Sequence, residues 1–264
     1  MYDVNLELAP PPRSHYLKEL RVALDIARLP GAIATSFMQK TQPSRQNIPV
    51  IVIPGFGAGD RSTAPLRQFL NKAGYACQGW EQGKNLAGLN REYDAGSVSW
   101  GFDRNRTDNG ELGVPHLCDL MVRQTRSLSE RYGEPVALVG WSLGGCIARE
   151  VARDLPDSVR CVVTMGTPVH GGPKYTAAGR HLAKRGLDLD WIEAEAAKRE
   201  SRGITCPVTS IVSRSDGVVG YAAAIDRSNA NVEHIDVDVP HIGMAFNRDI
   251  WNITLDAIDR TVER

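Results

Sequence analysis

Ser142 stands in Gly140-Trp141-Ser142-Leu143-Gly144-Gly145, straight after the apolar run Val136-Ala137-Leu138-Val139 and straight before a stretch of helical spacing. A buried strand that enters a helix through one serine lifts the hydroxyl onto a sharp turn, clear of both elements. Glycines two positions before and two after leave room for that strained turn. The first amides of the next helix lack intrahelical partners and are ready for a developing negative charge. The chemistry this predicts is nucleophilic attack on a carbonyl. The plainer alternative is a serine that only caps a helix.

A serine hydroxyl needs a base, and the base needs a group to orient it. Of the six histidines, His241 follows the last strand candidate in Val239-Pro240-His241-Ile242-Gly243-Met244. That position lies beyond the carboxyl end of a sheet, where open α/β sheets place their sites. His15 falls in a surface helix, His116 precedes a helix body, and His234 alternates within the last strand. Asp216, in the polar turn Ser213-Arg214-Ser215-Asp216-Gly217 after another strand candidate, is the expected acid. An Asx-type turn with Gly217 is its structural alternative, and Asp190, Asp236 and Asp238 compete for the role. The order serine, aspartate, histidine along the chain is the one expected of a nucleophile on this kind of turn.

Two backbone donors are expected to hold an oxyanion: the N–H of Leu143, just after the serine, and that of Phe56, in the loop Pro54-Gly55-Phe56-Gly57. The glycines at 55, 57 and 59 do not match Gly-x-Gly-x-x-Gly, and no phosphate-loop lysine follows, so a nucleotide is not expected. Trp141, His170, Trp191 and Met244 are the candidate pocket residues. Trp80, Asn85, Leu86, Trp100, Tyr175, Leu187, Leu189 and Ile192 either line that pocket or simply cover the sheet. The carboxylates Glu92, Asp94, Asp103, Asp108 and Glu111 fit no calcium loop. Neither a metal nor an organic cofactor is expected.

The elements that must position these groups alternate. Strands are predicted at Ile48 to Pro54, Tyr75 to Trp80, Val136 to Val139, Val159 to Met165, Pro207 to Val212 and Val232 to Val237. Helices are predicted at Ser62 to Ala73, Val114 to Tyr132, Leu143 to Arg153, Leu187 to Glu200 and Phe246 to Val262. Strand–helix alternation implies an α/β fold with a mainly parallel sheet of about six strands and helices on both faces. Residues 81–113 read as a long loop. Residues 1–47 read as a partly helical N-terminal extension, with Leu17, Leu20, Leu24 and Ile26 at helical spacing and Ser14 as its cap. Residues 48–264 form one catalytic domain, with an insertion at about 168–205 lying over the sheet as a short helical cap.

The balance of 31 basic and 31 acidic residues gives no global field for nucleic acid. The apolar runs are too short to span a bilayer. Five scattered cysteines argue against a disulfide framework or a zinc site. With no basic, apolar leader at the start, the expected location is cytoplasmic. Oligomeric state is not readable from the sequence.

The motifs together resemble the α/β-hydrolase superfamily, and within it the bacterial lipase/esterase group. Over roughly residues 48–260, Pro54-Gly55-Phe56-Gly57 resembles the family's oxyanion loop and Gly140 to Gly145 its nucleophile turn. Ser213 to Val219 resembles the acid loop, Pro240 to Met244 the histidine loop, and Gly166-Thr167-Pro168-Val169-His170-Gly171 a wording found in triacylglycerol lipases. The resemblance implies hydrolysis of a small-molecule carboxylic ester through Ser142, Asp216 and His241. Acyltransferases, thioesterases and non-catalytic binders share the same scaffold.

Overall fold

Pro49–Ile53 (β1) is fully buried along its length, which a strand can sustain only where helices cover both faces of its sheet. In a computed structural model of the chain, residues 6–24, 26–28, 31, 45–88 and 113–262 are described. The sheet runs β2-β1-β3-β4-β5-β6. Its other strands are Ala76–Gly79 (β2), Val136–Trp141 (β3), Val159–Met165 (β4), Val208–Ser213 (β5) and Val232–Val237 (β6). Every neighbouring pair is parallel. The strand order reverses beside β1, so the carboxyl ends of β1, β3, β4 and β5 gather at one edge, the place for a site in such sheets.

Successive side chains of a strand point to opposite faces, and β1 divides the core in two accordingly. Val50 and Val52 pack with Leu66, Phe69 and Leu70 of Asp60–Ala73 (α1) and with Ile250, Trp251 and Leu255 of the closing helix. Ile51 and Ile53 pack with Leu117 and Met121 of Gly113–Tyr132 (α2) and with Ile147 and Val151 of Leu143–Asp154 (α3). Each fully buried aliphatic of this kind contributes about 1.5–3 kcal/mol. Among the described residues, no helix is long and apolar enough to cross a membrane.

The insertion after β4 folds as a 3₁₀ turn at Gly172–Tyr175, then Gly179–Lys184 (α4) and Leu189–Glu200 (α5). Asp188 caps α5 by accepting the Trp191 N–H at 2.9 Å. No residue of α5 is buried, and ion pairs fasten it. Arg149 of α3, 2% exposed, meets Glu200 at 3.0 Å and Asp226 at 2.5 Å, and Arg153 also reaches Glu200. Arg199 answers with Glu150 at 2.7 Å and Asp154 at 2.8 Å. After β5 a short helix, Tyr221–Ala224 (α6), supports the acid loop, and Arg248–Val262 (α7) closes the chain.

The N-terminal segment differs from expectation. It is a 3₁₀ helix over Arg13–Arg21, with Pro12 rather than Ser14 at its N-cap. Leu17 and Leu20 are 72% and 71% exposed, and Leu24 and Ile26 also face outward. The polar side packs instead, because the loops beneath it present backbone N–H groups rather than apolar surface. The expectations for Trp100 and for the carboxylates from Glu92 to Glu111 fall outside the described residues.

Candidate active site

Ser142 joins β3 to α3 with φ 55° and ψ −122°, a conformation that costs a residue with a Cβ about 1–3 kcal/mol. The surrounding chain holds it there. The Ser142 N–H donates to the Met165 carbonyl at 2.8 Å, and the Thr167 hydroxyl donates to the Ser142 carbonyl at 3.1 Å. The flanking glycines serve close approach rather than φ. A Cβ on Gly140 would strike the backbone of Gly144 and Gly145; one on Gly144 would strike the Ile53 carbonyl; one on Gly145 would strike Thr167. The expectation that side chains there would crowd the serine itself is replaced by a tighter constraint: strand, helix and the β1 end touch through bare backbone.

His241 and Asp216 meet at the ends of β6 and β5. The imidazole Nδ1 lies 2.7 Å from Asp216 Oδ2, and both side chains are buried. The other carboxylate oxygen accepts the N–H groups of Val218 at 2.8 Å and Val219 at 2.7 Å, so the turn chemistry predicted for Asp216 and its contact with His241 coexist. The indole N–H of Trp141 donates to the His241 carbonyl at 3.1 Å, with the two rings 5.8 Å apart. Behind the pair lies Gly166, φ 54°, where a Cβ would come within 2.8 Å of His241 Nδ1 and 2.9 Å of Asp216. The sequence offered one signal for Gly166: a glycine at a strand's carboxyl end.

The competing acids point elsewhere. Asp190 pairs with Lys174, Asp236 accepts from the Tyr221 hydroxyl, and Asp238 binds Arg21 and Ser215. Other histidines are also placed. His234 Nε2 accepts the Asp226 N–H at 3.0 Å, and burial lowers its pKa. His15 lies on the N-terminal 3₁₀ helix, 3.4 Å from the Asp216 carbonyl oxygen.

The loop after β1 brings Phe56 to the mouth of the site. Its side chain is 53% exposed. Among the described residues no acceptor is found for the N–H of Phe56 or of Leu143, while the neighbouring Gly57 N–H is engaged by the Asn85 carbonyl at 2.7 Å. Asn85, fully buried, also donates to the Pro54 carbonyl at 2.8 Å and its N–H reaches the Ala58 carbonyl at 2.7 Å. It latches the loop; it does not line a pocket.

Ser142, His241, Phe56 and Leu143 border one cavity of about 600 Å³, within the range of small-molecule sites. Its wall is built from Val169, Leu182, Leu187, Trp191, Ile192 and Val218, with Trp141 at the floor and the Arg149–Glu200 pair at one side. Two expected pocket residues are not on this wall. His170 borders a separate, smaller cavity with Glu200 and Ser228, because its N–H bonds to the Ala223 carbonyl at 2.9 Å and turns it away. Met244 is fully buried and packs behind Gly166. Cys146 does border the cavity, but burial pushes its thiol up to about 12, so it is no thiolate nucleophile at neutral pH. Among the described residues, no group of His, Cys, Asp and Glu could hold a metal ion.

Residues 130–187, which include the strand, the serine turn and the start of the cap, match the family model for the alpha/beta hydrolase fold. No curated protein matches the chain. Solved structures share its architecture at low identity. A chain from LipS and LipT, two metagenome-derived lipolytic enzymes, aligns at TM-score 0.58 and 17% identity, over 84% of this chain and 100% of its own. Est1E from Butyrivibrio proteoclasticus, with ferulic acid bound, gives TM-score 0.56 and 12% identity over 85% and 92%. A lipase-esterase related protein from Clostridium acetobutylicum gives TM-score 0.54 and 14% identity over 84% and 97%.

Proposed function

We propose that this chain, whose residues 130–187 match the family model for the alpha/beta hydrolase fold, hydrolyses a small-molecule carboxylic ester, with Ser142 as nucleophile, His241 as base and Asp216 as the orienting acid. One observation carries the reading. A strained serine at the head of a helix opens on the same apolar cavity as a histidine whose far nitrogen is held 2.7 Å from a buried aspartate.

In the proposed reaction, His241 Nε2 takes the hydroxyl proton as Ser142 Oγ attacks the ester carbonyl carbon. The carbonyl π electrons move onto oxygen, and the N–H groups of Phe56 and Leu143 hold that oxyanion; each such donor contributes about 3 kcal/mol in the transition state. The tetrahedral intermediate collapses, the alkoxide departs with the proton from His241, and an acyl-serine remains. Water then repeats the sequence and releases the acid. Asp216 orients the imidazole with its proton on Nδ1 throughout. The reaction needs no cofactor. The five free thiols suit the cytoplasmic location proposed for the protein.

A second reading, acyl transfer to an alcohol, amine or thiol, draws support from the apolar lining of the cavity, which disfavours water as acceptor. Thioester cleavage would share the same first half.

The test is covalent. A fluorophosphonate probe should label the wild-type protein and leave Ser142→Ala unlabelled, and p-nitrophenyl esters of graded acyl length should be turned over. Equal labelling of both proteins would sink the proposal. Acyl transfer would show as new esters or amides when an acceptor is added.

A further inference from the structure

The carboxylate of Glu19 accepts three backbone N–H groups from two loops far away in the chain. Oε1 takes Gly217 at 2.8 Å and His241 at 2.9 Å, and Oε2 takes Ile242 at 2.9 Å. Gly217 follows the acid Asp216, and His241 is the base itself. One side chain of the N-terminal 3₁₀ helix thus joins the acid loop to the histidine loop.

Charge-assisted bonds of this kind are about twice as strong as neutral ones, and three of them converge here. Two act on the peptide units either side of the imidazole-bearing residue, and the third on Gly217. The N–H of His241 is held by Glu19 while its carbonyl is held by the Trp141 indole. With both ends of the residue fixed, its Cα–Cβ bond has one direction, and the contact with Asp216 then sets the ring. The acid loop gains a further contact from His15, whose Nδ1 lies 3.4 Å from the Asp216 carbonyl oxygen. Packing at Gly217 is equally close: a Cβ there would come within 2.7 Å of the His15 carbonyl and 2.9 Å of Glu19 Cγ. Ser215 and Asp238 also link the two loops through their side chains.

We infer that Glu19 is a positioning residue of the active site: it holds the His241 and Asp216 loops in register, so that the N-terminal segment is a working part of the catalytic apparatus. This rests on the hydrolase reading above. Glu19 touches no reacting atom. Its hydrogen bonds go to the backbone that carries His241 and follows Asp216, so it acts more on the rate of the chemical steps than on acyl-group binding.

The full chain is compared with E19A and E19Q. Active sites are titrated with a fluorophosphonate, and p-nitrophenyl butyrate turnover is expressed per titrated site, which removes any unfolded fraction. E19A should lower kcat about 30-fold with KM changed less than about threefold, the size expected for losing charged hydrogen bonds from a preorganised site. E19Q keeps one acceptor oxygen and should fall between E19A and wild type. A lower melting temperature with kcat per site within about twofold of wild type in both variants would reduce Glu19 to a structural brace and overturn the inference. The downfield proton of the His241–Asp216 hydrogen bond, read by NMR in the resting protein, needs no substrate. It should persist in wild type, weaken in E19Q and vanish in E19A; an unchanged resonance in E19A counts against the inference even if the wild type is silent on esters, a silence that would itself refute only the hydrolase reading. If E19A does not fold, G217A displaces the same carboxylate from the other side and should reproduce the kcat loss; wild-type kcat in G217A would overturn the inference as well.

Discussion

Asp216 divides its carboxylate between two tasks: Oδ2 lies 2.7 Å from His241 Nδ1, and Oδ1 is committed to the amides of Val218 and Val219. The oxygen that faces the imidazole therefore cannot rotate away without breaking the turn. Asp216→Asn keeps the shape but can present an N–H to Nδ1, which places the imidazole proton on the wrong nitrogen. We expect kcat to fall by about 10⁴-fold while near-UV circular dichroism stays that of the wild type. Loss smaller than tenfold would move the acid elsewhere.

Ser142, the proposed nucleophile, sits at a positive φ that strains a residue with a Cβ. Ser142→Ala and Ser142→Gly should both be inactive. The glycine variant, free of the Cβ penalty at φ 55°, should unfold at higher urea than the alanine variant, by the equivalent of about 1 kcal/mol. Identical midpoints would mean that the turn is relaxed.

The cap is fastened by charge. Glu200 serves both Arg149 and Arg153, so Glu200→Gln leaves Arg149 with Asp226 and Arg153 with Glu150 as their remaining carboxylates. Losing charged hydrogen bonds of this kind costs about 1.5–3 kcal/mol. Chemical denaturation should show a loss of that order, and limited proteolysis should cut first within residues 172–200. A change under about 0.5 kcal/mol would show that solvent already screens the cluster.

Stability should fall in two steps as pH drops. His234 and His170 have folded pKa values lowered by burial. Their neutral forms therefore contribute stability above about pH 6.5, and this is lost as pH falls through the lower folded values. Burial alone would raise the Asp226 carboxyl, but Arg149 outweighs it and holds the group below the usual carboxylate range. Its contribution is present above about pH 4 and disappears below that. Melting temperature against pH should show both declines, and His234→Gln should flatten the first. A flat profile down to pH 4 would contradict the histidine part.

Acyl-length preference should be set by Leu187 and Trp191, two large apolar side chains that border the cavity. Leu187→Trp should shift the best p-nitrophenyl ester to a shorter acyl chain and Trp191→Ala to a longer one. Each methylene buried or excluded changes kcat/KM about fourfold. Unaltered chain-length profiles in both variants would place the acyl group elsewhere.

What the chain determined locally was legible in its residues. Val136 to Gly145 spells a buried strand, a sharp turn flanked by glycines and a helix, because period, β-branching and glycine act over a few neighbouring positions. The same logic picked out Asp216 and His241, each just past a strand end, and the loop with Phe56. Candidate residues that depended on packing were less secure. His170 and Met244 sit near the site in sequence, yet a backbone hydrogen bond turns the first away and burial hides the second.

Tertiary structure alone decided the rest. Among Asp190, Asp216, Asp236 and Asp238, only the pairing of β5 with β6 and the turn at Val218 and Val219 brings one carboxylate to the imidazole. Nothing in the neighbours of Glu19 encodes its bonds to two loops some 200 residues later in the chain. Local patterns specify elements, whereas a carboxylate that bonds backbone amides leaves no side-chain signature in its partners. Its role exists only once the sheet has brought those amides together.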